Sequence, residues 1–556
     1  MTAPSVHPDT RQSRRDILAI GLTGFALMLG LLLWLDNVHV NTNNGMWKSI
    51  FVEGWKADFR SSRLDPSNYL YYPLVALLCR GLDLLGIHAD QTWRQLGLIS
   101  VVFAACSLAI IYWLVRRLTG RRDLAAIAVL VHLGSAFFLA LGISNEDILP
   151  SYTLVLAAMA MAAVWFAAPS VWQIVVVATV FTLGWLIEWR LMFPTLPPLM
   201  LAIALSRGSL QRRAGLVALF LAAMLGTALL ATIIWMGHLG AVDLPGLLWT
   251  GKGISSGWSG FSVDKLGLVV GGMGEYWWGG HIISSLPLFS FGNPEATLAF
   301  AGEMVVLAAA AVFFWRRRHD AATRTVAVVF LGTLVAGEIM NAYSQPADPQ
   351  MQINVMAWLP VAIALLLASY ATPRLCVLVA ALTLIPIAYN VADFSQYRGQ
   401  DSRMEAALRQ LEHRFDPART VFVYVGWENM VNWQYLEWTR RWDGVCNLGP
   451  APLAAPKFKW ISLINYAVNY PSWSPAEHIA AVKAEIDCAF DKGYRVVSGP
   501  FWTWSPDQLA DVMTSLNARH RAVALHTWLH ATYNAKPLGG PGAEDGAGEY
   551  QELTRR

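Results

Sequence analysis

Charge is scarce in this chain. Only 14% of its 556 residues are Asp, Glu, Lys or Arg while 55% are hydrophobic, a balance that a purely soluble fold rarely shows. The net charge of +3 is too small to argue for a nucleic-acid partner, and the cations fall in short clusters rather than along one face. Cysteine is also sparse. Five are too few for a disulfide framework, and Cys79, Cys106 and Cys376 lie in or beside apolar segments where cysteine packs as a small hydrophobe. Only Cys446 and Cys488 stand in a polar region, where an oxidising compartment permits a bridge. There is no internal repeat. No small-residue cleavage site follows the first apolar run, so Arg11, Arg14 and Arg15 are read as introducing a retained signal-anchor helix.

What the chain does contain is a succession of apolar runs. Candidate spans lie at 17–35, 96–115, 124–143, 150–169, 171–187, 191–205, 214–236, 296–315, 325–341, 353–370 and 375–391, about 11 transmembrane helices in all. Lys and Arg gather at 11–15, 116–122, 207–213 and 316–324, all on one side if the spans alternate, which makes that side cytoplasmic. The loops at 142–149 and 342–352 hold no Lys or Arg, and the long loops at 36–95 and 237–295 hold few; these face outward. The short fifth, sixth and eleventh spans, the sixth containing Pro194, Pro197 and Pro198, are re-entrant candidates. Tyr69 to His88, apolar but interrupted by Arg80 and Asp83, fits a helix lying in the outer interface. The Gly- and Trp-rich loop 237–295 suits a mobile lid.

The fold class expected is therefore a polytopic α-helical membrane protein, residues 1–391, with a C-terminal α/β extracytoplasmic domain, residues 392–556. In the latter, TVFVYVG at 420–426, KWISLINY and YRVVSG read as strands, with helices at 429–441 and in SPAEHIAAVKAEIDCAFDKG, and a parallel sheet is the natural arrangement. The Gly-rich end, PLGGPGAEDGAGEYQELTRR, reads as disordered.

The chemistry-bearing groups collect at outer helix ends. Asp36 follows the first span directly, with His39, Asn43 and the aromatics Tyr69, Tyr71 and Tyr72 in the same loop, where a carboxylate reaches a lipid-borne substrate and the loop suits a polar sugar. The alternative is a solvated helix terminus. Glu146 and Asp147 form a second outer acidic site; keeping adjacent acids ionised there needs water, a cation or hydrogen bonds, and a plain solvated turn is the competing reading. Glu188 and Arg190 at the end of the fifth span either pair or meet a phosphate. Lys252, Tyr276 and His281 of the long loop, and Gln345, Asp348 and Gln352 between the ninth and tenth spans, complete the candidate substrate-binding groups.

An acid just after span one, a second acidic site in the next outer loop, a long outer loop and an outer C-terminal domain together resemble the GT-C superfamily of integral-membrane glycosyltransferases. The DPSNYLYYPL segment looks like the corresponding loop of protein O-mannosyltransferase relatives, although Asp36 is followed by Asn rather than a second acid. The resemblance implies transfer of a sugar from a polyprenyl-phosphate-linked donor to an acceptor hydroxyl on a glycan, lipid or protein. The transfer inverts the anomeric centre and takes place at the outer face of the cytoplasmic (inner) membrane, with the C-terminal domain in the periplasm. It implies Asp36 as general base and Glu146 and Asp147 as catalytic partners that orient the acceptor or hold a divalent cation, Mg or Mn. Arg190 and Lys252 are expected to steady the phosphate. A transporter or flippase is the competing class, because Glu303 and Glu338 are ionisable groups inside apolar spans.

Overall fold

The computed structural model describes residues 10–36, 48, 52, 54–56, 69–87, 92–144, 146–188, 193–239, 263–278, 294–343, 352–395, 398–399, 402, 406, 413–416, 418–425, 459–463, 473–514, 519–538 and 550–556. The chain forms two compact units, Met1–Arg398 and Gly399–Arg556.

The first unit is helical. Its helices are α1 Thr10–Leu35, α2 Tyr71–Leu84, α3 Thr92–Thr119, α4 Arg122–Leu133, α5 Ala136–Leu141, α6 Ile148–Trp165 and α7 Val171–Ile187. They continue as α8 Leu196–Ala204, α9 Leu210–Leu239, α10 Val263–Trp277, α11 Pro294–Arg316, α12 Ala321–Tyr343, α13 Trp358–Tyr370 and α14 Pro373–Ser395. Among the described residues, seven are long and apolar enough to cross a membrane: α1, α3, α6, α9, α11, α12 and α14; α7 and α13 are shorter apolar helices. The protein is a multi-pass membrane protein. Exposed Leu229, Leu230, Ile233, Val305, Val377 and Leu382 give the bundle the apolar exterior that lipid requires.

The expected count of eleven spans is not confirmed. The run at 124–143 divides at Gly134 and Ser135 into α4 and α5, and part of 191–205 condenses into the short turn Phe193–Thr195 and the nine-residue α8. Proline explains the second case, since Pro197 and Pro198 lack the N–H that a helix interior uses and are tolerated in the first turn. The break at 134–135 is repaired by side chains. Ser135 Oγ accepts from Phe138 N at 3.1 Å as the cap of α5 and donates to Tyr276 O at 2.9 Å, while Asn390 Nδ2 of α14 donates to both Gly134 O and Trp277 O at 2.9 Å. Unpaired backbone groups inside a bilayer are costly, and these bonds remove that cost.

The same bonds reach the long loop between α9 and α11. Its segment 263–277 is a helix whose Met273, Tyr276 and Trp277 are buried; residues 240–262 and 279–293, the rest of the loop expected to form a mobile lid, lie outside those described. The helices pack through small residues. A Cβ on Gly142 would lie 2.1 Å from Met28 Cε and 3.2 Å from Ala104 Cβ, so glycine lets α1, α3 and the end of α5 meet there. Arginines at the opposite end satisfy chain carbonyls: Arg212 Nη2 donates to Pro169 O at 2.9 Å and Arg324 Nη2 to Leu205 O at 2.8 Å.

The second unit is α/β. Strands β1 Thr420–Tyr424, β2 Lys459–Ser462, β3 Arg495–Ser498, β4 Tyr533–Pro537 and β5 Gln551–Arg555 form one sheet in the order β2-β1-β3-β5-β4. β1 pairs in parallel with β2 and β3, whereas β5 runs antiparallel to β3 and β4, so the sheet is mixed rather than parallel. Helices α15 Pro475–Asp491, α16 Pro506–Thr514 and α17 Arg519–Thr532 accompany it. Ser474 and Glu477 form a reciprocal capping box at the start of α15, and Val482 and Ile486 of that helix join Val421, Val496, Leu525 and Leu553 in the core. The expectation of a disordered Gly-rich end is corrected in part: 551–555 is strand β5, because Leu553 alternates into the core while Glu552 points out to Arg495, 2.9 Å away. The helix expected at 429–441 lies outside the described residues.

Candidate active site

Asp36 terminates α1. Its N–H donates to Leu32 O at 3.1 Å, and its φ of +48° makes it the sole non-glycine with positive φ among the described residues. Asp tolerates this left-handed geometry better than most side chains because its short polar group bonds locally; even so, such positions collect at functional sites. The side chain is half-buried.

The second acidic site is not a solvated turn. Glu146 and Asp147 are each 1% exposed, and the ammonium of Lys48, itself 6% exposed, donates to a carboxylate oxygen of both, reaching Asp147 Oδ1 at 2.6 Å. Lys48 went unnoticed among the polar residues after Asp36. A signal was present: Lys48, Val52 and Trp55 recur at i, i+4 and i+7, all are helical, and Val52 and Trp55 are fully buried. That face packs with Tyr71 and Tyr72 of α2 and Ile187 of α7, while Leu70 N donates to Leu186 O at 2.8 Å. Burial, and second the charge of Asp147, push the Tyr71 phenol well above its ordinary pKa, so it stays protonated beside the acid pair. Glu146 Oε1 is buried without a hydrogen-bond partner among the described residues.

Topology sets both acidic groups at one end of the bundle. Met28, which meets Gly142, lies two turns before Asp36, about 12 Å along the helix, and Gly142 precedes Asp147 by one short turn. Arg121 and Arg122 mark the other end.

The remaining expected residues scatter. Tyr72 is buried and packs edge-on against Tyr71, 5.3 Å between centroids, so it serves the core of the segment between α1 and α3. Glu188 is buried at the end of α7, where its backbone carbonyl accepts from Ser151 Oγ at 3.4 Å. Tyr276 is buried in the last turn of α10, and its pKa is raised by burial. Gln352 is fully buried and donates to Glu338 at 3.3 Å, well separated in the chain from the acid pair. His39, Asn43, Arg190, Lys252, His281, Gln345 and Asp348 lie outside the described residues. In the second unit Cys488 is disulfide-bonded; Cys446 lies outside the described residues.

At Glu146 and Asp147 the Lys48 ammonium contacts an oxygen of each and supplies positive charge where a divalent cation is expected. Among the described residues no group of three or more His, Cys, Asp or Glu is placed to hold a metal ion.

Searches of protein-family models and of curated proteins find no match. Solved structures do match. ArnT from Cupriavidus metallidurans bound to undecaprenyl phosphate superposes with a TM-score of 0.54 at 13% identity, covering 96% of this chain and 97% of that one. The chain has the GT-C glycosyltransferase fold. The oligosaccharyltransferase of Archaeoglobus fulgidus tethered to an acceptor peptide gives a TM-score of 0.53 at 12% identity, over 97% of this chain and 74% of its own. A second form of that enzyme, with Zn and sulfate, gives 0.50 at 14% identity over 94% and 72%. The GT-C likeness thus runs through both units of the chain.

Proposed function

We propose that this protein is a membrane glycosyltransferase that moves a sugar from a polyprenyl-phosphate-linked donor to an acceptor hydroxyl at the outer face of the cytoplasmic membrane, with its C-terminal domain in the periplasm. The observation that carries the reading is the full-length GT-C fold with two acidic groups at one end of the bundle, Asp36 closing α1 and the buried Glu146–Asp147 pair held by Lys48. The ArnT structure contains undecaprenyl phosphate, and a lipid phosphate of that kind is already a good leaving group, so the acceptor hydroxyl is what needs activation.

Asp36 is the general base in this scheme. It takes the hydroxyl proton as the oxygen attacks the anomeric carbon, the C–O bond to the lipid phosphate breaks on the opposite face, and the configuration inverts. Lys48 holds Glu146 and Asp147 in place, and Glu146 Oε1, without a partner among the described residues, accepts a hydrogen bond from an acceptor hydroxyl, orienting it. The buried Tyr71 phenol stays neutral and adds no charge to the pair.

The test is transfer from a panel of radiolabelled polyprenyl-phosphate sugars by protein reconstituted in liposomes. Asp36→Asn is expected to lower transfer by about 10²- to 10⁴-fold while donor binding persists. Undiminished transfer by Asp36→Asn removes Asp36 from the chemistry, and absence of transfer from every donor by the native protein overturns the reading itself.

A further inference from the structure

Two ionisable side chains in spanning helices have no part in the proposed transfer chemistry. Glu303 of α11 is 3% exposed, and neither carboxylate oxygen has a hydrogen-bond partner among the described residues. Glu338 of α12 is near enough to act on Glu303 through its charge. Glu338 Oε2 accepts from Gln352 Nε2 at 3.3 Å and from Asn341 Nδ2 at 3.5 Å, while its Oε1 is buried and unpartnered. A carboxylate stranded in this way in a membrane domain is expensive, and two beside each other more so.

A second observation points to what offsets that cost. Gln352 is fully buried, and the bond from its Nε2 to Glu338 fixes the amide against the acids, yet its Oε1 has no partner among the described residues. The buried atoms left over on these three side chains are therefore all acceptors: Glu303 Oε1 and Oε2, Glu338 Oε1 and Gln352 Oε1. Among described neighbours, the Trp277 indole N–H is directed at Glu303 as a weak donor, and no Lys or Arg is among the groups acting on either carboxylate. Two carboxylates and an amide oxygen are the donor set that a hard cation or an ammonium group takes.

We propose that Glu303, Glu338 and Gln352 form a binding site for a compact cation, supplied either by a metal ion or by a primary ammonium group on a bound substrate. The site is separate from the Lys48–Glu146–Asp147 group, whose positive charge is built in, and it does not depend on the transfer reaction. Its depth follows from the helices: Glu303 stands nine residues into α11 and Glu338 five before the end of α12, roughly 8–14 Å below the helix ends nearest the 344–351 connection. The half-buried Glu338 forms its open side.

The experiment uses the full-length protein in detergent, stripped of metal with a chelator, and follows thermal unfolding. Mg²⁺, Mn²⁺, Ca²⁺ and methylammonium are each titrated, with tetramethylammonium, too bulky to bond through N–H, as the ionic-strength control. A saturable rise in Tm with one of the metal ions identifies the metal form, and the same rise with methylammonium alone identifies the ammonium form. Glu303→Gln should weaken that binding at least ten-fold and Gln352→Leu less, while Glu275→Gln on α10 leaves it unchanged. No saturable rise with any probe, or a rise that survives Glu303→Gln and Glu338→Gln, overturns the proposal. If those variants do not fold, equilibrium dialysis of the native protein against ⁵⁴Mn²⁺ and ¹⁴C-methylammonium decides it, and binding of neither overturns it. No readout uses sugar transfer, so failure of the transferase reading leaves this result standing and the reverse holds too.

Discussion

Replacing Lys48 with methionine keeps the length and apolar stem of the side chain and removes only its charge. Lys48, Glu146 and Asp147 have side-chain exposures of 7%, 0% and 1%, so little water is available to replace the lost ammonium. Removing one partner from a buried ion pair costs about 3–5 kcal/mol, because the remaining charge is left uncompensated. Here two neighbouring carboxylates are left facing each other without a cation between them. Lys56→Met is the control, since Lys56 and Asp83 are 3.5 Å apart with exposures of 17% and 32%, and such a pair contributes about 0–1 kcal/mol. Thermal unfolding in detergent measures both variants, and adding Glu146→Gln and Asp147→Asn to Lys48→Met should restore much of the loss. If Lys48→Met is no less stable than Lys56→Met, the buried triad does not exist as described.

Three further outcomes follow from features of the fold. Asn390→Leu orphans Gly134 O and Trp277 O, which costs about 1–3 kcal/mol for each buried carbonyl, and unfolding should show that loss; Asn390→Asp, whose carboxylate only accepts, should not restore it. Glu275 of α10, 8% exposed, has its pKa pushed up to about 7 by burial alone, so its charged form opposes the fold. Stability is fullest below the unfolded value and falls by about 2–3 kcal/mol as pH rises through 7; Glu275→Gln should flatten that fall in thermal unfolding. A reporter fused after Ser395 should read extracytoplasmic, and a cytoplasmic reading removes every outer-face assignment.

The parts of this architecture that are periodic were legible without coordinates. Apolar runs of membrane length and the one-sided arginines gave the polytopic class, and Val-rich runs marked β1 and β3. What escaped depended on partners distant in the chain. The break at Gly134 and Ser135 is held by Asn390 and by the end of α10, so nothing local to 124–143 announces it. β5 follows a glycine-rich stretch and owes its strand to pairing on both sides with β3 and β4. At the candidate site the acids were visible as outer-loop charges, whereas the burial that gives them chemical weight comes from Lys48, about a hundred residues earlier. Lys48 was hidden because its helical spacing was masked by the surrounding Asn and Gly.

The strand order of the C-terminal unit also bears on how the protein is made. β5 comes last of the five strands in the chain, yet it sits inside the sheet, between β3 and β4. Until residues 551–555 are available, β4 has no strand to join and β3 keeps an open edge. The sheet therefore closes only once β5 is in place, and a chain that lacks it presents a sticky strand edge by which chaperones and proteases can sort it from folded protein.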